Sequence, residues 1–359
     1  MKVALIARST LYDAPGGDTV QVKETARHLQ RLGVDASICL TDQPVDYPAY
    51  QLFHFFNITR PADMLYHIGR IKVPFVVSPI LVDYSEYDKQ HRTGVAGFLF
   101  RLFSADGNEY LKTISRWLKG NDSLKSKSYL LKGQRRSIKE VLSKASFLLP
   151  NSESEYHTLQ NKYGVSKNYL AVTNGVDTSL FYECKTQERD KDLVICAARI
   201  EGIKNQLNLI KAVSNTSFRL MIIGSASPNQ KRYYNRCRQI AGDNIVFTGP
   251  LTQTELASYY SKAKVHVLPS WFETCGLSSL EAAAMGCAVV ITDKGYTRDY
   301  FTDDAYYCDP ASPESIRSAI ERAAGADNNN LLQQKVVNNY TWEKAAALTL
   351  EAYKKVLAS

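Results

Sequence analysis

The sequence predicts an α/β protein of two domains, each a parallel sheet with helices on both faces. Three observations carry this. The chain has 359 residues, a length that suggests two domains rather than one. Strand-like apolar runs alternate with helical patterns through both halves, the signature of parallel sheets joined by helical crossovers. A charged stretch without periodicity, ECKTQERDKD at 183–192, separates the two alternations.

The elements follow in order. KVALIA (2–7) reads as a buried strand, and 18–32 as a helix with Val22, Ala26 and Leu29 on one face, stopped by Gly33. VDASICL, QLFHF and PFVVS are further strands. From 98 to 145 two helical patterns dominate, broken around 120–123. SFLLP (146–150) is a short strand, and 152–163 a helix capped by Ser152 with Glu155 in the capping-box position. YLAVTNGVDTSLF (169–181) predicts a strand and a turn. Beyond the polar run come strand LVICAA, a helix over 205–213, strand FRLMIIG, a further helix, strand NIVFTG, a helix over 255–263 and strand KVHVLP. After 271–286 the chain returns to strand CAVVIT. Ligands of open α/β sheets sit beyond the carboxyl ends of the strands. The expected site is therefore a cleft between the two halves.

Composition narrows the class. Hydrophobic residues make up 45% and charged residues 22%, as in ordinary globular proteins. The seven cysteines are dispersed, without a CxxC pair or zinc spacing, which favours free thiols in a reducing compartment. The apolar run after Met1 is short for a signal peptide, and no stretch approaches the roughly 18 apolar residues of a membrane span. The expected location is the cytoplasm. Charge is uneven: residues 89–144 hold 13 Lys and Arg against Asp106, Glu109, Asp122 and Glu140, or +9 in a chain whose total is +8. Phe98, Phe100, Phe103, Tyr110, Trp117 and Tyr129 lie in the same stretch. A basic, aromatic region on a neutral body suggests an anionic partner surface, such as a membrane.

Two glutamates, Glu273 and Glu281, flank the start of the helix expected at 277–285. The amides of Gly276, Leu277 and Ser278 open that helix without carbonyl partners and form an anion site. Glu281, one turn in, can accept two hydrogen bonds from a diol such as ribose. The stretch suits a ligand with phosphate and sugar hydroxyls. It also fits a helix-start acid beside a surface acid. Arg199 and Lys204, at another strand end, can neutralise a diphosphate without a metal.

RIEGIK (199–204), the E-x7-E segment FETCGLSSLEAAAMGCAVV (272–290), VTNGVDTSLF (172–181) and NIVFTGPL (244–251) together resemble glycosyltransferase family 4. The likeness extends to APGGDTVQVKETARHLQRLGV (14–34) and YTWEKAAALTLEAYKKVL (340–357), and so covers nearly the whole chain. It implies a retaining, nucleotide-sugar-dependent transferase of GT-B fold. Two Rossmann-like domains, 1–175 (acceptor side) and 176–340 (donor side), would face each other across a cleft, and a helix within 341–359 would cross back to the first.

The resemblance also implies roles. Glu281 would hold the ribose hydroxyls, and Glu273 the hydroxyls of the transferred sugar. The backbone of Cys275, Gly276 and Leu277 would lie near sugar and phosphates. Arg199 and Lys204 would bind the diphosphate, and Gly16 and Gly17 would let backbone approach it. Thr248–Leu251 would meet the base. No cofactor and no metal is implied. The acceptor would be a carbohydrate or a lipid-linked glycan, in cell-surface polysaccharide synthesis, with the basic stretch at the inner face of the membrane.

One departure stands out. The family often has a catalytic-site histidine after the strand corresponding to PFVVS, whereas this chain reads SPILVDY, with Ile80 at about that place. Asp83 and Tyr84 are nearby polar candidates. His54 and Asn57, at another strand end, could serve the acceptor, or be a core histidine and a turn residue. The missing histidine also leaves open an inactive nucleotide-sugar-binding protein, although such a protein has no need of the glutamate and cation pairs. A dinucleotide oxidoreductase lacks its GxGxxG after either first strand. No nucleic-acid-binding module accompanies the basic stretch.

Overall fold

The computed structural model describes residues 1–91, 97, 101–120, 124–182, 189–227, 229–327 and 330–358. It divides into two compact units, Met1–Asn174 with Trp342–Ser359, and Gly175–Thr341.

The first unit is built on a five-stranded sheet in the order β2-β1-β3-β4-β5, every pair parallel. Its strands are β1 (Lys2–Ala7), β2 (Asp35–Leu40), β3 (Leu52–Phe56), β4 (Phe75–Ser78) and β5 (Phe147–Leu148). The crossovers are helical: α1 (Gly17–Arg31), α2 (Pro61–Ile68), α3 (Ser85–His91), α4 (Ala105–Leu118), α5 (Ser128–Lys144) and α6 (Glu153–Tyr163). Ala4, Ile6, Phe53, Phe55 and Val77 pack from the sheet into a core closed by Ile138, Val141 and Tyr156 of the helices. The stretch 169–181 differs from expectation. It forms no strand of its own, only single bridges at Leu148–Tyr169 and Val176–Thr341. Its neighbour β5 is two residues long, and so offers little ladder to extend.

The second unit has six parallel strands in the order β11-β10-β9-β6-β7-β8. They are β6 (Asp190–Ala197), β7 (Arg219–Ile223), β8 (Ile245–Gly249), β9 (Ala263–Leu268), β10 (Ala288–Thr292) and β11 (Tyr306–Cys308). The helices between them are α7 (Gln206–Val213), α8 (Lys231–Ile240), α9 (Gln253–Lys262), α10 (Leu277–Ala284), α11 (Thr297–Phe301), α12 (Pro313–Gly325) and α13 (Leu331–Asn339). Alternate strand residues face opposite sides. Ile195, Ala197 and Leu268 enter one core, and Val194, Cys196, Val265 and Val267 the other. A sheet apolar on both faces is what helices on both sides require.

α14 (Trp342–Leu357) belongs to the first unit, the return to the N-terminal domain that the resemblance implied. Glu343 Oε1 lies 3.5 Å from His28 Nδ1 of α1, and Tyr353 Oη 2.7 Å from His54 Nδ1 of β3.

Candidate functional site

The strand order of the second sheet explains which residues meet. β6 is the first strand of the unit and sits between β7 and β9, so the order in which strands are added to the sheet reverses there. At such a switch point the loops after neighbouring strands part and leave room for a ligand. The loop after β6 carries Arg199 and Lys204, and the loop after β9 carries Glu273. Lys204 Nζ lies 2.5 Å from Glu273 Oε1. Trp271 N donates to the Ile203 carbonyl at 2.9 Å, and the Asn205 amide to the Pro269 carbonyl at 3.0 Å, which fixes one loop against the other.

Glu273 is 7% exposed, and its backbone is clamped as well as its side chain. Its N–H donates to the Lys294 carbonyl at 3.1 Å, and its carbonyl accepts from Tyr296 N at 2.9 Å. Gly295 lies between those partners at φ = 101°, and a Cβ on it would collide with the Glu273 carbonyl oxygen. The loop after β10 is therefore part of the site, although sequence reasoning passed over it. The signal was present in DKGYT (293–297), where a glycine stands three residues past the end of a strand.

α10 starts beside this pair. Its cap, Gly276, has φ = 69°, and a Cβ there would stand 3.0 Å from Ile291 Cδ1 and 3.3 Å from Leu268 Cδ2. Only glycine fits between the turn and the core. The first-turn amides of α10 have no carbonyl behind them in the helix. His266 of β9 anchors the helix through Ser279 Oγ at 3.1 Å. Cys275 turns its thiol into the core, so only its backbone remains for a ligand, and Leu277 is half-buried. Glu281 is half-buried, and its carboxylate has no hydrogen-bond or ion-pair partner among the described residues. Burial pushes its carboxyl up to about 8.

Arg199 does not join the Lys204–Glu273 pair. Its guanidinium is 45% exposed and bonds Glu201 Oε1 at 2.8 Å, while Glu201 Oε2 accepts from Ser227 Oγ at 2.9 Å. Glu201 and Ser227 were not anticipated from the sequence. Thr248 and Gly249 end β8, and Leu251 leans on the core.

In the first unit, Gly17 opens α1, and Gly16 caps it with extended backbone (φ −152°), its N–H donating to Thr19 Oγ1 at 3.0 Å. That φ is one any residue adopts, so the turn itself does not require a glycine at this position. His54 is corrected. It is a core histidine, 1% exposed, with Nε2 2.8 Å from Ser78 Oγ and Nδ1 held by Tyr353. Desolvation lowers it to about 3, so it stays neutral and has no nitrogen left for an acceptor. Asn57 makes the turn. It has φ = 72°, and its Oδ1 accepts from the amide and hydroxyl of Thr59. Asp83 accepts from Ser85 N at 2.9 Å and lies 3.8 Å from Lys162 Nζ. Burial alone would raise its pKa, but the Ser85 bonds and Lys162 hold it below the usual value. Ile80, where the histidine was missing, has φ = 48°. Glu155 does not complete a capping box. Ser152 Oγ accepts its N–H at 3.2 Å, but the carboxylate turns to Leu81 N and Asn151 N, each at 2.5 Å.

The basic stretch is less free than its charge suggests. Lys112 pairs with Asp88 and Glu109, and Lys132 and Lys144 both with Glu140. Tyr129 is buried, and Tyr110 Oη bonds the Leu130 carbonyl. Phe98 and Phe100 lie outside the described residues. What remains exposed is Leu102, Phe103, Trp117, Leu118, Leu130 and Leu131. Among the described residues, exposed Lys119, Lys127, Arg136 and Lys139 make no ion pair. No helix of the described residues is long and apolar enough to cross a membrane.

Known proteins resemble this chain in sequence and in fold. Residues 183–334 match the family described as glycosyl transferases group 1. The D-inositol 3-phosphate glycosyltransferase of Pseudarthrobacter chlorophenolicus is 27% identical over 398 residues, which span 94% of this chain and 90% of the relative. The MMP alpha-(1->4)-mannosyltransferase of Mycolicibacterium hassiacum is 24% identical over 236 residues, 61% of this chain and 56% of the relative. Among solved structures, the sucrose-phosphate synthase of Thermosynechococcus elongatus superposes with a TM-score of 0.77 at 16% identity, covering 100% of this chain and 99% of that one. Anabaena HepE, crystallised with UDP-glucose, superposes with a TM-score of 0.72 at 14% identity, covering 99% and 100%. Fold and sequence together define the class: the protein is a glycosyltransferase of the GT-B fold. The match to the glycosyl transferases group 1 model, over residues 183–334, includes the RIEGIK and E-x7-E motifs.

Proposed function

We propose that the protein is a retaining, metal-independent glycosyltransferase that moves a sugar from a nucleoside-diphosphate sugar to a carbohydrate or lipid-linked glycan acceptor. The observation that carries this is the Lys204–Glu273 pair at the switch point, 2.5 Å apart beside the start of α10. A departing diphosphate needs fixed positive charge where its own charge develops. Lys204, Arg199 and the first-turn amides of α10 offer it without a metal. Glu273 is positioned for the hydroxyls of the transferred sugar, and unpartnered Glu281 for those of the ribose. The relatives support the donor class. HepE was crystallised with UDP-glucose, and the curated relatives are named for transfer to D-inositol 3-phosphate and for mannosyl transfer. Retention of anomeric configuration rests on the family resemblance.

The acceptor reading rests on the α4–α5 surface. Exposed Trp117, Leu118 and Leu131 share this surface with Lys119, Lys127 and Arg136, which make no ion pair among the described residues, and the combination suits the headgroup region of an anionic bilayer. A lipid-linked acceptor in cell-surface polysaccharide synthesis, reached from the cytoplasmic face, would explain both features. The deciding experiment is a panel of nucleotide sugars tested for hydrolysis and thermal stabilisation of the purified protein. Stabilisation by one base-and-sugar combination is expected. A panel in which none stabilises or is hydrolysed rejects the reading.

A further inference from the structure

Ile80, in the turn after β4, holds a left-handed backbone at φ = 48°, which is an outlier for a β-branched residue. Such strain persists only where its surroundings over-determine it, and it concentrates at functional sites. Two groups hold the turn. The Pro79 carbonyl accepts from Ile58 N at 2.7 Å, and Leu81 N donates to Glu155 Oε1 at 2.5 Å. The other carboxylate oxygen accepts from Asn151 N at 2.5 Å. The Asn151 side chain in turn exchanges two amide bonds with Gln21 of α1, at 2.8 and 3.2 Å. One fully buried carboxylate thus joins the turns after β4 and β5 and, through Asn151, the helix that follows β1. All three lie at the carboxyl side of the sheet, where open α/β sheets bind ligands.

No cation compensates this charge among the described residues. On α6, Glu153 accepts from Tyr169 Oη at 2.7 Å, and Lys162 lies 3.4 Å from Asp106 and 3.8 Å from Asp83. In the turn itself, Asp83 accepts from Ser85 N. The group facing from α1 is neutral Gln21. Burial pushes Glu155 up to about 7 against the pull of its two amide bonds. A lone buried carboxylate is costly as mere packing. Neither the amide nor the carbonyl of Ile80 has a hydrogen-bond partner among the described residues.

We propose that Glu155 is a positioning residue for sugar transfer: its carboxylate holds the Ile80 turn in the strained form, so that the unpaired main-chain groups of Ile80 bond hydroxyls of a bound sugar. A peptide group offers one donor and one acceptor, as a sugar hydroxyl requires. This assignment rests on the proposed transferase function and supplies a main-chain group where the family often has a histidine. Protonation of Glu155 removes one of its two strong acceptors and slackens the turn, so the active form is the ionised one.

The test uses the full chain, Glu155→Gln, and turnover between pH 6 and 8.5, with calorimetry of the free nucleoside diphosphate alongside. The amide keeps the shape but sets an NH2 against one backbone N–H. Wild-type turnover should rise through pH 7; turnover of the variant should be at least tenfold lower at pH 8 and should lack that rise. Nucleotide affinity should stay within twofold of wild type at each pH, which a merely structural defect would not guarantee. A variant with wild-type turnover and pH profile overturns the assignment while leaving the transferase reading intact. If the variant does not fold, wild-type amide exchange decides. A Leu81 protection factor at least tenfold lower at pH 6 than at pH 8 supports the assignment, and equal factors overturn it. A wild-type protein that binds no nucleoside diphosphate and transfers no sugar removes the transferase reading, and this assignment with it.

Discussion

Lys204 and Glu273, separated by 69 residues in the chain, are joined by a 2.5 Å contact between ammonium and carboxylate. The pair is therefore charge-balanced before any ligand arrives, and on the proposed function a diphosphate would share Lys204 with Glu273. Lys204→Ala should lower turnover by two or more powers of ten, as loss of charge stabilisation in the transition state typically does. It should also strip a 7% exposed carboxylate of this partner. Breaking a buried pair costs about 3–5 kcal/mol, and partial exposure of the lysine reduces this to roughly 2 kcal/mol. The double variant Lys204→Ala/Glu273→Ala should regain much of the lost melting temperature and none of the activity. Turnover should survive EDTA. A single variant as stable as wild type contradicts the pairing, and an absolute metal requirement contradicts the proposed role of the cations.

Gly295 supports Glu273 from the loop after β10. Gly295→Ala forces a Cβ onto the Glu273 carbonyl at φ = 101°. We expect a loss on the order of 2 kcal/mol or more from backbone strain and displacement, seen as a melting point about 4–8 °C lower. Because Glu273 moves with the loop, turnover should fall in the same variant while affinity for free nucleoside diphosphate changes little. Equal losses of nucleotide affinity and turnover would place the damage elsewhere.

Much of this arrangement was legible in the sequence. Buried parallel strands write themselves as short apolar runs, so β1, β3, β6, β9 and β10 could be read directly. The E-x7-E segment sits on a strand, loop and helix whose order is local. What escaped depends on distant pairing. The strand order that brings Lys204 to Glu273 is a property of the whole sheet. Arg199 looked equivalent to Lys204 until Glu201 proved to be its neighbour in space. The ring of His54 reads the same in a site as in a core, and only the approach of Tyr353 from α14, 299 residues on, decides which it is. Glu155 had a sufficient local explanation as a capping residue, and that explanation hid its long-range bond to Leu81.

Glu281 should make nucleotide binding depend on pH. Burial raises its carboxyl from 4.5 to about 8, so at pH 7 the free protein holds a proton there. A ribose diol donates best to the ionised carboxylate, and binding should then release that proton. Affinity for free nucleoside diphosphate should tighten as pH rises from 6 towards 8 and level off above. Calorimetry in two buffers of different ionisation heat should read the proton release at pH 7. The sign is opposite for the stability of the free protein. The folded state keeps a proton that the unfolded chain sheds above 4.5, so this group makes the fold less stable as pH climbs to about 8. Glu281→Gln should flatten both dependences and weaken the nucleotide. Affinity that is independent of pH, and unchanged in Glu281→Ala, would remove Glu281 from the ribose site.

The α4–α5 surface makes a separate prediction about the membrane. Leu118 is 73% and Leu131 90% exposed, apolar surface that a bilayer interface would remove from water. Several neighbouring cations are spent internally, Lys112 on Asp88 and Glu109, Lys132 and Lys144 on Glu140. Charges left for a partner include exposed Lys119, Lys127, Arg136 and Lys139, which make no ion pair among the described residues. Each cation at an anionic surface contributes about 1 kcal/mol. Reversing these four to glutamate should then cost roughly 4 kcal/mol or more, about a thousandfold in partitioning. Wild-type protein should sediment with vesicles containing anionic lipid at low salt and stay in solution with zwitterionic ones. The fourfold reversal should abolish sedimentation, and Leu118→Ser/Leu131→Ser should weaken it at unchanged charge. Nucleotide affinity should be untouched in both, since none of these residues belongs to the second unit. A wild-type protein that ignores anionic vesicles at low salt would leave the basic surface with no role beyond keeping the chain in solution.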